Sequence, residues 1–264
     1  MRVADVAEKL NRWLPPSWAE DWDNVGLLVG APDWPVRNPR VLLDVTLGAL
    51  ERAVAEGSTL LVSHHPPLFA PLRRLDFSTS AMVVAAKALE AKIALIAAHT
   101  NWDAAFDGVN VCLARSLGLG GVVPLKEGPA DSWGLGALGC LPESLDTQRF
   151  LDRLCRRWNL SWVHHYGPEK DVRSVGLCGG SGFDLTSAAA EGGADLFVTA
   201  DVKYHQIEAT LARGLNLVVV DHGEMERVSL PSLARGLSLR LDCPVAVCDD
   251  VAVPAPLGAK PFSL

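Results

Sequence analysis

Two stretches of this chain follow the same local pattern. AVAEGSTLLVSHH (residues 53–65) and AAAEGGADLFVTAD (residues 188–201) each run from a helix end through a Glu-Gly break into a short apolar strand that stops at residues able to bind a metal. A second pair, LEAKIALIAAHTNWD (residues 89–103) and LARGLNLVVVDHGEME (residues 211–226), leads from a helix end into a strand and then delivers His-x-x-x-Asp in one case and His-x-x-x-Glu in the other. A chain that alternates helices with short, nearly continuous apolar strands is confined to the α/β class, because such strands bury both faces under helices. The echo predicts an internal duplication into two similar α/β halves, residues 1–125 and 126–264, with the last strand (244–251) free to return to the first half. The glycine-rich stretch from Gly118 to Gly139 is the expected boundary, and the tail from Pro254 to Leu264 reads as a loose end.

The coarse reading supports this. Helices are expected at 3–14, 47–56, 81–91, 108–117, 147–158, 185–191, 206–212 and 230–239. Strands are expected at 41–45, 59–62, 93–97, 174–177, 195–199, 217–220 and 245–248. Four of the apolar strands end in polar clusters: His64-His65, His99 to Asp103, Asp201 to His205, and His222 to Glu226. In open α/β sheets ligands bind beyond the carboxyl ends of the strands, so these clusters converge on the edge that chemistry uses. Adjacent residues on a strand face opposite ways, and Pro66-Pro67 restrict the backbone directly afterwards. His64 and His65 are therefore expected to aim at two different metal ions. The set of His64, His65, His222, Glu226 and Asp103, three imidazoles and two carboxylates at strand ends, suits zinc, iron, manganese or nickel better than calcium or magnesium. His164-His165, in WVHHYG, lie outside the strand-end pattern and read as ordinary loop or core histidines. GGSG (residues 179–182) could let backbone amides approach an anion, or could be a plain strand-to-helix turn.

With 264 residues and a net charge of −7, general nucleic-acid binding is disfavoured, since phosphate contacts need a basic face. The best apolar run, residues 82–98, is broken by Lys87, Glu90 and Lys92, and Asp5, Glu8 and Lys9 interrupt the N-terminus, so neither a membrane span nor a signal peptide is expected. The six cysteines form no Cys-x-x-Cys pair and read as reduced thiols of a cytoplasmic protein.

EDWDNVGLLVG, SHHP, HTNWD, CGGSG, TADVKYH and HGEMER, in this order from Glu20 to Arg227, together resemble the Nif-three-like family of dinuclear-metal-centre hexameric proteins, many named type 2 homologues of GTP cyclohydrolase I. The length resembles the short form, without an inserted middle domain. The resemblance implies a dinuclear metal site in the cleft between two similar halves, and assembly as a toroidal homohexamer, a trimer of dimers. It implies that His64, His65, Asp103, His222 and Glu226 are the ligands of two divalent transition-metal ions. His65 and Asp103 would hold one ion, His64 and His222 the other, and Glu226 would bridge them. His99, Tyr204 and His205 would be neighbours of the site that orient ligands or touch substrate. Two positions depart from the family pattern: Asp221 stands where glycine usually precedes the ligand histidine, and Ala200 replaces the glycine of the TGD-like motif. Asp221 is expected to add negative charge near the metals. The implied chemistry is hydrolysis of a nucleotide or another phosphate-containing molecule, since two ions about 3.5–4 Å apart polarise an oxygen and supply hydroxide at neutral pH. The alternatives are a non-catalytic metal-bearing scaffold for a protein or nucleic acid, and metal storage.

Overall fold

The computed structural model describes residues 1–129 and 131–248. They divide into two compact units, Met1–Trp102 with the segment that begins at Leu230, and Asp103–Ser229. In chain order the elements are α1 (Val3–Trp13), β1 (Gly26–Val29), β2 (Arg40–Leu42), α2 (Leu47–Ala55), β3 (Leu60–Ser63), α3 (Ser80–Glu90), β4 (Ala94–Ala97) and α4 (Thr100–Asp103). They continue with α5 (Val109–Leu117), β5 (Gly120–Val123), β6 (Ala137–Asp146), α6 (Thr147–Trp158), β7 (Val163–Tyr166), β8 (Asp171–Leu177), α7 (Thr186–Glu191) and β9 (Leu196–Thr199). The last are α8 (Tyr204–Ala212), β10 (Asn216–Val220), α9 (His222–Arg227), α10 (Leu230–Leu241) and β11 (Ala246–Val247).

The first unit carries a five-stranded sheet in the order β1-β4-β3-β2-β11. β2, β3, β4 and β11 are parallel, and β1 runs antiparallel along β4. Every residue of β3 and β4 is buried. Leu42, Leu61 and Leu95 from the strands pack with Leu50, Met82 and Ala88 from α2 and α3 into one core. The second unit carries a six-stranded sheet in the order β5-β6-β8-β9-β10-β7. β8, β9 and β10 are parallel, β7 runs antiparallel along β10, and β5 and β6 extend the other side antiparallel. Phe197, Leu217 and Val219 form its core with Leu185 and Ala189. β9 and β10 are buried throughout, as their unbroken apolar sequences require of strands covered on both faces.

The succession α1-β1-β2-α2-β3-α3-β4-α4 recurs as α6-β7-β8-α7-β9-α8-β10-α9, each time with three parallel strands and an antiparallel strand beside the third. The helices that close the two repeats change places. α5, which follows the first repeat, packs on α6, β6 and β8 in the second unit, and α10, which follows the second repeat, packs on α1 and β2 in the first. Lys9 Nζ donates to the Arg240 carbonyl at 2.8 Å, and the Arg240 guanidinium stacks 3.9 Å from the Trp13 ring centre, fastening α10 to α1.

Four strands were hidden from the sequence: β1, β5, β6 and β7. β5 lies inside the stretch expected to be a boundary, and β6 begins there and runs on past it. Pro142 interrupts β6, and the structure places it where the pairing with β8 shifts register between Cys140 and Leu145, the kind of site in which proline is tolerated in a sheet. β7 contains His164 and His165, which therefore lie on an edge strand and not in a loop or the core. His165 stands opposite Val218 and His164 opposite Val219. The expected tail from Pro254 onward lies outside the described residues.

Candidate metal-binding clusters

In the first unit, the hydrogen bonding of β3 continues for two residues past its end. The His64 amide donates to the Leu42 carbonyl at 3.0 Å and the His65 amide to Leu43 at 2.9 Å. Two successive residues held this way must present their rings differently, and each ring has its own anchor. His64, fully buried, donates from Nδ1 to the Ala98 carbonyl at 3.0 Å. His65 Nδ1 lies 2.7 Å from Asp44 Oδ1. His99, two residues past β4, places Nδ1 2.8 Å from Asp23 Oδ1. With Nδ1 fixed in all three, Nε2 is the nitrogen left for a ligand. His64, His65 and His99 each offer a ligand nitrogen within 4.8 Å of the others. The exposed rings of Trp22 and Phe69 meet each other at 5.7 Å and lie edge-on to His99 at 6.1 and 6.2 Å.

Asp23 is held in turn. Its second carboxylate oxygen accepts the Thr100 amide at 3.0 Å and the Thr100 hydroxyl. Burial acts to raise its pKa, but the hydrogen bonds from His99 and Thr100 and the charge of His99 outweigh it and bring the carboxyl down to about 2.

In the second unit, β10 is followed directly by Asp221, whose carboxylate caps α9 by accepting the Glu224 amide at 2.9 Å. The departure at Asp221 thus has a local role that glycine's missing side chain could not fill. His222 begins α9. Its Nδ1 lies 2.6 Å from Asp201 Oδ2 and its Nε2 3.0 Å from Glu226 Oε2, one turn along the helix. Burial opposes charge on the ring, yet these two carboxylates outweigh it and push the imidazole up to about 11. A ring with a buried carboxylate 3.0 Å from one nitrogen and a second carboxylate 2.6 Å from the other is electrostatically suited to a cation. Gly180, at φ +64°, closes over the pair. A Cβ there would stand 2.6 Å from Glu226 Oε1 and 3.1 Å from His222 Nε2, so only glycine admits this approach.

Asp103 ends α4. Burial drives the Cys178 thiol far above its ordinary range, and the charges of Asp103 and Glu226 add to the shift. Glu224 accepts the Ser161 amide at 2.6 Å, a structural contact that separates it from Glu226. Tyr204 and His205 open α8, both exposed. His164 packs its ring 4.9 Å from Trp162, and His165 lies 3.2 Å from the Asn216 side chain. Of the GGSG amides, Gly179 donates to Asn110 Oδ1 at 3.0 Å and Gly182 to Thr199 Oγ1 at 2.8 Å, so two of the donors expected to face an anion are committed within the protein.

The structure therefore gathers His64 and His65 with His99 in one unit and pairs His222 with Glu226 in the other, the unit that also holds Asp103. Sequence reasoning missed Asp44 and the roles of Asp23 and Asp201. Asp23 and Asp201 lay inside quoted motifs, but which acid meets which ring, 76, 21 and 21 residues away, is not a local property. The donor chemistry fits a transition metal: imidazoles fixed through Nδ1 and a buried carboxylate on a ring nitrogen.

The fold and these clusters define a duplicated α/β protein with metal-capable residues beyond the carboxyl ends of its parallel strands. The family model for Duf34/NIF3 (NGG1p interacting factor 3) matches residues 1–250, and the chain belongs to that family. It is 31% identical to NIF3-like protein 1 of Drosophila melanogaster over 259 residues, 94% of this chain and 86% of the relative. It is 34% identical over 232 residues to the GTP cyclohydrolase 1 type 2 homolog of Streptomyces coelicolor, covering 85% of this chain and 81% of the relative. Among solved structures, a Bacillus cereus protein related to NIF3 superposes with a TM-score of 0.89 at 21% identity, covering 97% of this chain and 99% of the other. No helix among the described residues is long and apolar enough to cross a membrane.

Proposed function

We propose that this protein is a dinuclear metal-dependent hydrolase acting on a nucleotide or another phosphate-containing molecule. The observation that supports this reading best is the shared arrangement of His64, His65, His99 and His222, each with Nδ1 held by a carboxylate or carbonyl. That arrangement fixes tautomer and ring direction, as metal-ligating histidines require. In this reading His65 and Asp103 hold one divalent ion, His64 and His222 the other, and Glu226 serves both. Zinc, iron, manganese and nickel all suit the donor set. When bound, such a pair supplies Lewis-acid polarisation of a substrate oxygen and a more acidic water.

The chain's own residues do the rest. Asp23 keeps His99 oriented, so that its Nε2 can exchange a proton with substrate. Trp22 and Phe69 give a planar ring an apolar wall beside His99. In this reading Tyr204 and His205, exposed on α8, contact substrate. The name GTP cyclohydrolase 1 type 2 homolog, borne by the Streptomyces coelicolor relative, favours a nucleotide. Assembly as a homohexamer and a cytoplasmic location belong to the same proposal. The exposed Leu72, Leu75 and Phe77 on one short segment support contact between copies, and cysteines present as thiols support a reducing compartment.

The test is reconstitution with zinc, manganese and iron, followed by elemental analysis and a screen against nucleotides and phosphodiesters. Two ions per chain and metal-dependent turnover are expected; none or one ion would overturn the dinuclear reading. His64→Ala and His222→Ala should each lose mainly one ion, whereas His164→Ala, on the edge strand β7, should keep both.

A further inference from the structure

The chain is acidic overall, yet α6 (TQRFLDRLCRRW) carries Arg149, Arg153, Arg156 and Arg157 against a single acid, Asp152. Phe150, Leu151, Leu154, Cys155 and Trp158 are buried, which leaves the arginines together on the other face. Arg149, Arg153 and Arg157 follow one another at four-residue spacing, and Arg156 fills the turn between the last two. At 1.5 Å per residue the stripe spans about 12 Å. The four guanidinium groups and Leu145, from the end of β6, line a groove of about 590 Å³. That volume lies within the range of small-molecule sites.

Helix stability accounts for only part of this. Arg156 and Arg157 lie in the last turn, where the macrodipole favours cations. Arg149 lies in the first turn, where the dipole disfavours one, and it leans on the helix cap Asp146 at 3.3 Å. Arg153, Arg156 and Arg157 have no ion-pair partner among the described residues. Asp152 accepts a hydrogen bond from Gln148 at 2.9 Å, and no carboxylate lines the groove. Arg153 reaches to Gly118 at the end of α5, where a Cβ would approach its Nη2 to 3.0 Å. Like charges four residues apart on a helix repel one another, and a multivalent anion would relieve that repulsion at several arginines at once.

We infer that this groove is a binding site for a short oligophosphate, whether an inorganic chain or the phosphate tail of a nucleotide. Guanidinium forks match phosphate oxygens two at a time. One phosphate could not engage groups spread along the whole stripe, but a chain of three can. No aromatic ring lines the groove, so it lacks the stacking platform on which single-stranded nucleic acids are held. None of its lining residues belongs to the histidine clusters.

The test is calorimetric titration of the full-length protein with tripolyphosphate, as purified and after removal of metal with a chelator. Binding should persist after chelation and weaken with added salt. Arg153→Gln/Arg156→Gln should weaken it by at least about tenfold, given the strength of charge-assisted hydrogen bonds. Arg173→Gln/Arg213→Gln, which removes the same charge from exposed positions elsewhere in the second unit, should leave it unchanged. A nucleoside triphosphate that competes as well as tripolyphosphate points to the nucleotide tail; a much weaker one points to the inorganic chain. Unchanged binding in Arg153→Gln/Arg156→Gln, loss of binding on chelation, or tighter binding of a single-stranded oligonucleotide than of tripolyphosphate would each overturn the assignment. Circular dichroism checks that the variants fold, which their exposed face predicts.

Discussion

His222 touches Asp201 through Nδ1 and Glu226 through Nε2, and the two contacts have different consequences. Asp201 only orients the ring, whereas Glu226 shares the face a metal would occupy. Glu226→Gln keeps the shape and removes the charge, so metal affinity should fall by roughly tenfold or more, as changes around metal ligands do. Glu224→Gln should retain its metal, because that side chain is engaged with the Ser161 amide and an amide oxygen can still accept there. Elemental analysis of the two variants after dialysis against a weak chelator checks this. Asp23 gives a prediction in pH. Its folded pKa, about 2, is below the ordinary 3.8, so its contribution to stability is fully present above 3.8 and is lost as pH falls toward 2. Wild type should therefore exceed Asp23→Asn in denaturant midpoint at neutral pH, with the gap closing across that acid window. A gap that stays constant to the bottom of the window would mean that the Asp23 charge contributes nothing.

Elements show why some of these residues were legible in sequence and others were not. β3, β4, β9 and β10 announced themselves as short apolar runs, and their ends located every histidine cluster. β6 and β7 did not, because a proline and two imidazoles break the patterns by which strands are recognised. The loop after β8 could be read as an anion cradle or as a plain strand-to-helix turn, and its Gly180 serves to admit Glu226 and His222. Gly180→Ala should cost about 1–3 kcal/mol from its left-handed backbone and also disturb metal binding. Gly193→Ala is a matched control: at φ +76° it carries the same backbone strain, but no atom lies within 4 Å of its Cβ position. Both should lower the melting temperature, and only Gly180→Ala should release metal. Equal metal retention in the two would remove the close approach from the argument.

At the scale of the whole molecule, the duplication is not a simple tandem, because α5 and α10 each belong to the unit that the other repeat builds. Leu233 and Leu237 of α10 are buried in the first unit. A chain cut after Ser229 should therefore lose more helical signal in circular dichroism than α10 itself carries and should bind a hydrophobic dye; a loss confined to α10 would contradict the exchange. The sequence by itself determined the α/β class, the repeat and the positions of His64, His65, His99, His222 and Glu226 at strand ends, since these follow from apolar periodicity and spacing within some fifteen residues. Only the tertiary structure decided that Asp23, Asp44 and Asp201 hold the rings, that Asp221 caps a helix, and that the two closing helices exchange units. Hydrogen bonds join side chains by position in space, across separations that no local pattern records, and α10 finds its burial on β2, far from it in the chain.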